Sequence, residues 1–123
     1  MKKIISTDKA PAAIGPYSQA IEVNGMVYTS GVIPVNPATG EIPEGIEAQA
    51  DQAIGNLVNL IKESGTTVEN VIKTTCFLAE MADFAAFNEV YAKYFVGKPA
   101  RSCVAVKALP KGVLCEVEVI AVK

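Results

Sequence analysis

Two kinds of charged residue in this sequence could carry chemistry: its single arginine and a pair of glutamates in its last apolar segment. Arg101 is the only arginine among eleven basic residues, and its planar guanidinium can hold a carboxylate or phosphate through two parallel hydrogen bonds. A simple surface charge is the alternative. All the other basic residues are lysines, however, and this favours a site that requires the bidentate hydrogen-bonding geometry of an arginine.

The glutamates lie in the predicted final strand, residues 113–122. One face of that strand is entirely apolar, whereas Glu116 and Glu118 interrupt the other face. An ionised glutamate among apolar neighbours is unfavourable unless it is paired, and its pKa tends to rise. An exposed sheet edge is the alternative for both residues. We expect residues 102–108 to pair with this strand as a closing hairpin, and Arg101 and Glu116 could then meet across a subunit boundary.

The composition excludes several mechanisms. The 123 residues contain no histidine, so serine–histidine or cysteine–histidine nucleophile pairs, a histidine base and a histidine-ligated metal are all excluded. The sequence has three cysteines, an odd number, and they lack CxxC spacing: Cys76, Cys103 and Cys115. This pattern indicates reduced structural thiols rather than a metal site. A net charge of −2 does not favour a dedicated nucleic-acid binder.

Four further residues are candidates for lining a ligand pocket, although none is specific by itself. Tyr17 follows a segment rich in proline and glycine, and it could point into a cleft. Ser30 and Gly31 end a predicted strand, where a backbone N–H could face a ligand. Asn88 lies at the polar border of an aromatic stripe that we interpret as core. Each also has an ordinary structural explanation.

The elements that must position these candidates are predicted in the order β-β-β-α-β-α-β-β, within one domain that covers residues 1–123. Strands are predicted at residues 2–6, 18–23, 26–30, 71–79, 102–108 and 113–122, and helices begin at Ile46 and after a capping Asp83. Asn24-Gly25 predicts a hairpin turn, and Gly65 predicts the end of the first helix. The pattern favours an α+β fold with one mixed sheet and both helices on one face. The uncovered face predicts self-assembly.

Taken in order, several blocks of this sequence resemble the RidA/YjgF family over essentially the whole chain. The matching blocks are APAAIGPYSQA at 10–20, TSGVIP at 29–34, PARSCV at 99–104, LPKG at 109–112 and EVE at 116–118. The resemblance implies a chorismate-mutase-like α+β fold, with a six-stranded mixed sheet and two helices on one face. It also implies a homotrimer with clefts between subunits.

The function implied by the resemblance is hydrolytic deamination of 2-imino and enamine acids, namely 2-iminobutanoate and 2-iminopropanoate or 2-aminoacrylate, to 2-oxo acids and ammonia. Arg101 would bind the substrate carboxylate, and Glu116 would orient or activate the attacking water. The pocket-lining positions would be Tyr17, Ser30, Gly31, Asn88 and Cys103, the last mainly through its backbone. No cofactor, metal, membrane or nucleic acid is expected, and the expected location is the cytoplasm.

Two other functions stay open at this point: a trimeric regulator that binds small carboxylates without turnover, and a translation inhibitor or endoribonuclease. The sequence also departs from the family pattern at two places. The connector Val96-Gly97-Lys98 is short, and Lys98 stands where a bulky residue is usual, which bears on the pocket rim. Cys115 replaces an aliphatic residue before the glutamate, which is a conservative change if the position is buried.

Overall fold

The computed structural model describes residues 1–123 and contains six strands and two α-helices. They are β1 Lys3–Ile5, β2 Ala20–Val23, β3 Met26–Thr29, α1 Ile46–Glu63, β4 Val71–Leu78, α2 Phe84–Tyr94, β5 Ala100–Ala105 and β6 Cys115–Val122. The strands form one sheet in the order β1-β2-β3-β6-β4-β5. This confirms the predicted order of elements and the mixed α+β sheet. No helix is both long enough and apolar enough to cross a membrane.

Local backbone signals set the first hairpin and the end of α1. Asn24 and Gly25 join β2 to β3 with φ of 51° and 74°, and two positive φ angles are what a tight type I′ turn requires. Gly65, with φ 86°, ends α1. The N–H of Thr66 there donates to the carbonyl of Ile61, which satisfies a carbonyl that the helix leaves free. Both predictions are confirmed.

The predicted hairpin between the last two strands is wrong. β6 pairs antiparallel with both β3 and β4, whereas β5 lies at the sheet edge and pairs parallel with β4. The physical reason is the helix between β4 and β5, because a parallel pair needs a crossover connection and α2 supplies it. The exposed-edge interpretation of Glu116 and Glu118 is also wrong, since β6 is an interior strand of the sheet.

Asp83 occupies the N-cap position of α2, as predicted, but its side chain makes no capping hydrogen bond. A short 3₁₀ turn, Met81–Asp83, leads directly into the helix and gives Asp83 a φ of −85° and ψ of 1°. A capping side chain normally belongs to a residue with extended backbone geometry. Asp83 therefore marks the start of the helix without stabilising it through a side-chain bond.

Both helices pack on one face of the sheet, as predicted. The inward residues of β6 are completely or almost completely buried, and they join the apolar stripes of α1 and α2 in one cluster of 22 residues. The opposite face has no covering element. An apolar row crosses four strands there through the registered residues Ile4, Ile21, Tyr28 and Ile120, and Tyr28 is 43% exposed. This uncovered sheet face is therefore available to another molecule.

A buried amide on α1 holds the long loop that follows β3. Asn56 is 2% exposed, and its Nδ2 donates to the carbonyls of Ile33 at 3.2 Å and Val35 at 2.8 Å. Its Oδ1 accepts a 2.8 Å hydrogen bond from Gln52. The sequence carries no local signal for this role of Asn56, because its loop partners lie more than twenty positions away.

Replacing Asn56 by alanine should lower the free energy of unfolding by about 1–3 kcal/mol, because two loop carbonyls lose their donor. Asn59→Ala is the matched control, since exposed Asn59 makes one hydrogen bond to the Lys9 carbonyl. The control should change stability by no more than about 0.5 kcal/mol. Urea unfolding at one fixed protein concentration measures both, and equal losses would contradict the role of Asn56.

Candidate functional site

Glu116 projects from β6 on the uncovered sheet face, directly beside Gly31. β3 ends at Thr29, and an isolated bridge then joins Val32 to Val117 through N–H···O bonds of 2.8 and 3.1 Å. The bridge brings the Gly31 backbone so close that a Cβ there would overlap the Glu116 carboxylate. Only glycine fits this position while the carboxylate keeps its place.

Four of the predicted site residues line one cavity of about 400 Å³, which we call the acid half-site. Its lining residues are Ile14, Tyr17, Ser30, Gly31, Ile33, Pro110, Glu116 and Glu118. Ser30 Oγ donates to the Ser18 carbonyl at 2.6 Å, so its lone pairs still face the cavity as acceptors. The Gly31 N–H makes no hydrogen bond within the chain. The acid half-site thus offers both an acceptor and a donor beside the carboxylate.

Gln19 fixes the segment that carries Tyr17, a role that was not predicted from the sequence. The side chain is 7% exposed and accepts a hydrogen bond from the Thr7 N–H at 2.7 Å. Its Nε2 lies 2.7 Å from the Pro11 carbonyl and 3.1 Å from the Thr7 carbonyl. The available signal was an amide on the otherwise apolar Gln19-Ile21-Val23 face of the predicted strand 18–23, because a polar group that is buried there must find partners.

The electrostatic environment raises the pKa of Glu116 above that of an ordinary glutamate. Burial is the larger cause, and the negative charge of Glu118 two residues along the same strand face adds to it. No salt bridge offsets either effect, because the one salt bridge in the chain joins Lys123 to Glu22 at 3.0 Å. Glu116 is therefore a stronger base than an exposed glutamate and a suitable proton acceptor.

Arg101 lies on β5 in register with Thr74 of β4, and its side chain points to the helix side of the sheet. Its guanidinium carbon stands 4.7 Å from the centroid of the Tyr91 ring and 5.4 Å from that of Phe84. Nη1 donates a 2.6 Å hydrogen bond to Asn88 Oδ1. Phe84, Asn88 and Tyr91 share one face of α2, so the stripe interpreted as core also supports the guanidinium.

Arg101 and Asn88 line a second cavity of about 350 Å³, which we call the arginine half-site. Its other lining residues are Tyr91, Ala92, Phe95, Val96, Lys98 and Pro99. The guanidinium has no carboxylate partner within the chain, and one hydrogen bond to Asn88 leaves most of its five N–H donors free. Lys98 places a second cation at the same cavity, with a left-handed backbone at φ 52°.

One chain does not bring the two half-sites together. On β4, Thr74 is the register partner of Arg101 and Phe77 is the partner of Glu116. Side chains three positions apart on a strand point to opposite faces, so the guanidinium and the carboxylate lie on opposite sides of the sheet. The two cavities share no lining residue. Within one chain the two cavities are therefore separate.

Cys103 lines neither cavity. It is the register partner of Cys76 on the helix side of the sheet, and all three cysteines are free thiols. Burial raises the pKa of the Cys103 thiol, although the nearby charge of Arg101 opposes the shift. Burial also raises the pKa values of Cys76 and Cys115 to about 12. Protonated thiols are poor nucleophiles, so the chemistry of the half-sites rests on the carboxylate and the guanidinium.

The fold and its half-sites define the class: an α+β protein whose uncovered sheet face carries a basic carboxylate and whose helix face carries an unpaired arginine. A family model described as endoribonuclease L-PSP matches residues 7–123. The mouse 2-iminobutanoate/2-iminopropanoate deaminase is 48% identical over 125 residues, covering 100% of this chain and 93% of the mouse protein. The protein of that name from Escherichia coli K12 is 46% identical over 127 residues, covering 100% and 99%.

Solved structures show the same relationship. A crystal structure of E. coli TdcF with bound serine superposes with a TM-score of 0.95 at 46% identity, covering 98% of each chain. The YjgF gene product from E. coli gives a TM-score of 0.94 at 46% identity, again covering 98% of each chain. The chain belongs to the endoribonuclease L-PSP family, also called RidA/YjgF, which confirms the resemblance drawn from the sequence.

Replacing Glu118 by glutamine should lower the pKa of Glu116, because a neighbouring negative charge disappears. The pKa should still stay above that of an exposed glutamate, because burial is the larger cause. Carbon-13 NMR titration of the Glu116 carboxyl measures the change, with exposed Glu80→Gln as the control. A Glu116 titration that is identical in the native and Glu118→Gln proteins would exclude the charge of Glu118 as a cause.

Proposed function

We propose that this protein hydrolyses 2-imino acids and their enamine tautomers to 2-oxo acids and ammonia, with 2-iminobutanoate and 2-iminopropanoate as substrates. The observation that carries the proposal is the presence of two complementary groups: an arginine with free N–H donors for a carboxylate, and a partly buried glutamate that can accept a proton. The deaminase names of the mouse and E. coli relatives support it. The reaction takes place in the cytoplasm, in a chain that folds as one domain.

The chemistry of such a site follows from the charges. The Arg101 guanidinium binds the substrate carboxylate by two parallel hydrogen bonds, which orients the adjacent C=N carbon toward Glu116. Glu116 takes a proton from water as the oxygen adds to that carbon, and it delivers this proton to the nitrogen to give a carbinolamine. Glu116 then takes the proton of the new hydroxyl group and passes it to the nitrogen, so that the C–N bond breaks, ammonia leaves and the C=O bond forms. One water is consumed, and one ammonia and one 2-oxo acid are released.

The polar groups beside Glu116 complete this assignment. Gly31 offers an unpaired N–H and Ser30 offers acceptor lone pairs, so they can hold the water or the nitrogen in place. Tyr17 lines the same cavity. Asn88 on α2 holds the Arg101 guanidinium through a hydrogen bond to its Oδ1. Cys103 contributes through its backbone on the edge strand β5, since its thiol is protonated and lines neither cavity.

A complete site in this proposal needs a homotrimer, in which the acid half-site of one chain faces the arginine half-site of its neighbour. Two observations support the assembly. The half-sites lie on opposite faces of the sheet in one chain, and the uncovered sheet face presents an apolar row that water would otherwise contact. Cyclic symmetry then gives three identical clefts between subunits.

A second candidate is a regulator that binds small carboxylates without turnover. The arginine half-site favours it, because carboxylate binding requires only the guanidinium, and the related TdcF structure contains bound serine. Glu116→Gln separates the two functions: in a deaminase it abolishes turnover but keeps 2-oxo acid binding. Ribonuclease activity, which the family description names, is not favoured by a net charge of −2 and the absence of histidine.

Arg101→Lys should reduce kcat/KM for 2-iminobutanoate by at least about 100-fold, because lysine keeps the charge but loses the bidentate fork and its aromatic support. A threonine dehydratase can supply the imine, and semicarbazide traps whatever the protein does not hydrolyse. Exposed Lys107→Ala is the control for a lost surface charge and should match the native protein. Native rates in Arg101→Lys would rule out the carboxylate clamp.

Mixing two inactive variants tests the shared site. Arg101→Ala keeps Glu116, and Glu116→Gln keeps Arg101, so a cleft between the two variants can contain both native groups. Random assembly of an equal mixture should restore activity in about a quarter of the clefts, because each cleft draws its two groups from different chains. The variants are refolded together and compared with each variant refolded alone. If assembled mixtures stay inactive, the two groups do not act across a subunit boundary.

A further inference from the structure

Two of the three cysteines face each other across neighbouring strands. Cys76 on β4 and Cys103 on β5 are register partners in the parallel pair, and both side chains lie on the helix side of the sheet. Neighbouring strands lie about 4.7–4.9 Å apart, which falls within the range of about 4.4–6.8 Å between the Cα atoms of a disulfide. Cys115 is not such a partner, because it is in register with Leu78 of β4. The sheet therefore places one pair of thiols, and not the third, where a bond can form.

The two thiols differ in their access to solvent. Cys76 is completely buried in the core cluster, whereas Cys103 is partly exposed at the border of that cluster. β5 is an edge strand, so its backbone can adjust at Cys103 without breaking a second strand pair. An oxidant from solvent therefore meets Cys103 first, and Cys76 is the second thiol of the pair.

The surroundings of Cys103 also favour it as the first thiol to react. Burial is the main cause that raises the pKa of both thiols, so both are protonated in the resting protein. Two causes oppose burial and lower the pKa of Cys103: the positive charge of Arg101, two residues along the same strand face, and hydrogen bonding to the Cys76 thiol. Cys103 therefore forms its thiolate more readily than an equally buried thiol without these neighbours, and the thiolate is the form that reacts with oxidants.

We propose that Cys76 and Cys103 form a redox-active pair that a hydroperoxide converts into a disulfide within the chain. The Cys103 thiolate attacks one oxygen of the hydroperoxide, the O–O bond breaks, and Cys103 becomes a sulfenic acid while the other oxygen leaves as water or an alcohol. The Cys76 sulfur then attacks the Cys103 sulfur and gives up its proton, the S–O bond breaks, and water leaves. With hydrogen peroxide, two thiols and one peroxide give one disulfide and two waters.

The disulfide acts on the arginine half-site through β5. A disulfide holds its two Cβ atoms about 3.5–4.5 Å apart, which is less than the spacing of neighbouring strands, so β5 is drawn toward β4 at Cys103. Arg101 lies two residues away on the same face, and its register partner Thr74 shares a 2.8 Å hydrogen bond with the Tyr91 hydroxyl. Moving β5 there shifts the guanidinium relative to the Tyr91 ring and Asn88. Oxidation therefore weakens carboxylate binding at the arginine half-site, an effect that rests on the proposed function.

Mass spectrometry of the peroxide-treated protein tests the pair directly. The native protein is treated with hydrogen peroxide at about pH 8.5, where more thiolate forms, and is then unfolded with N-ethylmaleimide, which blocks every free thiol. It should lose two hydrogens and keep one free thiol, with Cys76 and Cys103 joined. Cys115→Ala is the matched control and should form the same disulfide, whereas Cys76→Ala cannot. Three free thiols, a bond to Cys115, or a Cys103 sulfinic acid without the bond overturns the proposal.

Calorimetry with 2-oxobutanoate measures the coupling to Arg101. The oxidised native protein should bind this carboxylate at least about tenfold more weakly than the reduced protein, and a dithiol reductant should restore the affinity. Cys76→Ala should bind it equally before and after peroxide treatment, which controls for oxidation elsewhere. Equal affinities of the oxidised and reduced native protein overturn the coupling. A native protein that binds no 2-oxobutanoate contradicts the proposed function instead, while the mass measurement still decides whether the disulfide forms.

Discussion

The alternation of side chains along β4, β5 and β6 decides on which side of the sheet Arg101, Cys103 and Glu116 lie. Inward residues of β6 are buried against the helices, so the residues between them, Glu116 among them, must project from the uncovered face. The same pleat sends Arg101 to the helix face, where α2 meets its guanidinium. A shift of β6 by one residue would turn Glu116 into the core, and a shift of β5 by one residue would turn Arg101 away from α2.

The separation of the two charges also sets their chemistry. An arginine beside Glu116 would lower the pKa of the carboxyl and occupy the N–H donors of the guanidinium. Within one chain the sheet separates the two groups, so burial raises the pKa of Glu116, while the aromatic faces of Tyr91 and Phe84 support Arg101 without a counter-ion. Both groups thus remain available to a ligand that carries its own carboxylate.

The sequence correctly predicted the features that depend on interactions between residues close together in the chain. The Asn24-Gly25 turn, the end of α1 at Gly65 and the period of both helices depend on neighbouring residues, and each is confirmed. The prediction of a closing hairpin was wrong because strand pairing depends on residues far apart in the chain. β6 lies between β3 and β4, and nothing in the sequence of β6 itself indicates these partners. Arg101 and Glu116 were predicted as individual residues, but their placement on opposite faces needed the register of β4.

Two buried amides that the sequence did not mark, Gln19 and Asn56, hold the loops around Glu116 in place. Gln19 anchors the segment that carries Ala12 and Tyr17, and Asn56 anchors the loop that carries Ile33 and Val35, each through hydrogen bonds to backbone groups. These anchors fix two loops that line the acid half-site, one through Tyr17 and the other through Ile33. Because the bonds are to the backbone, loop side chains can vary while Gly31 stays against Glu116. The surroundings of the Glu116 carboxylate therefore depend on two amides that lie outside the cavity itself.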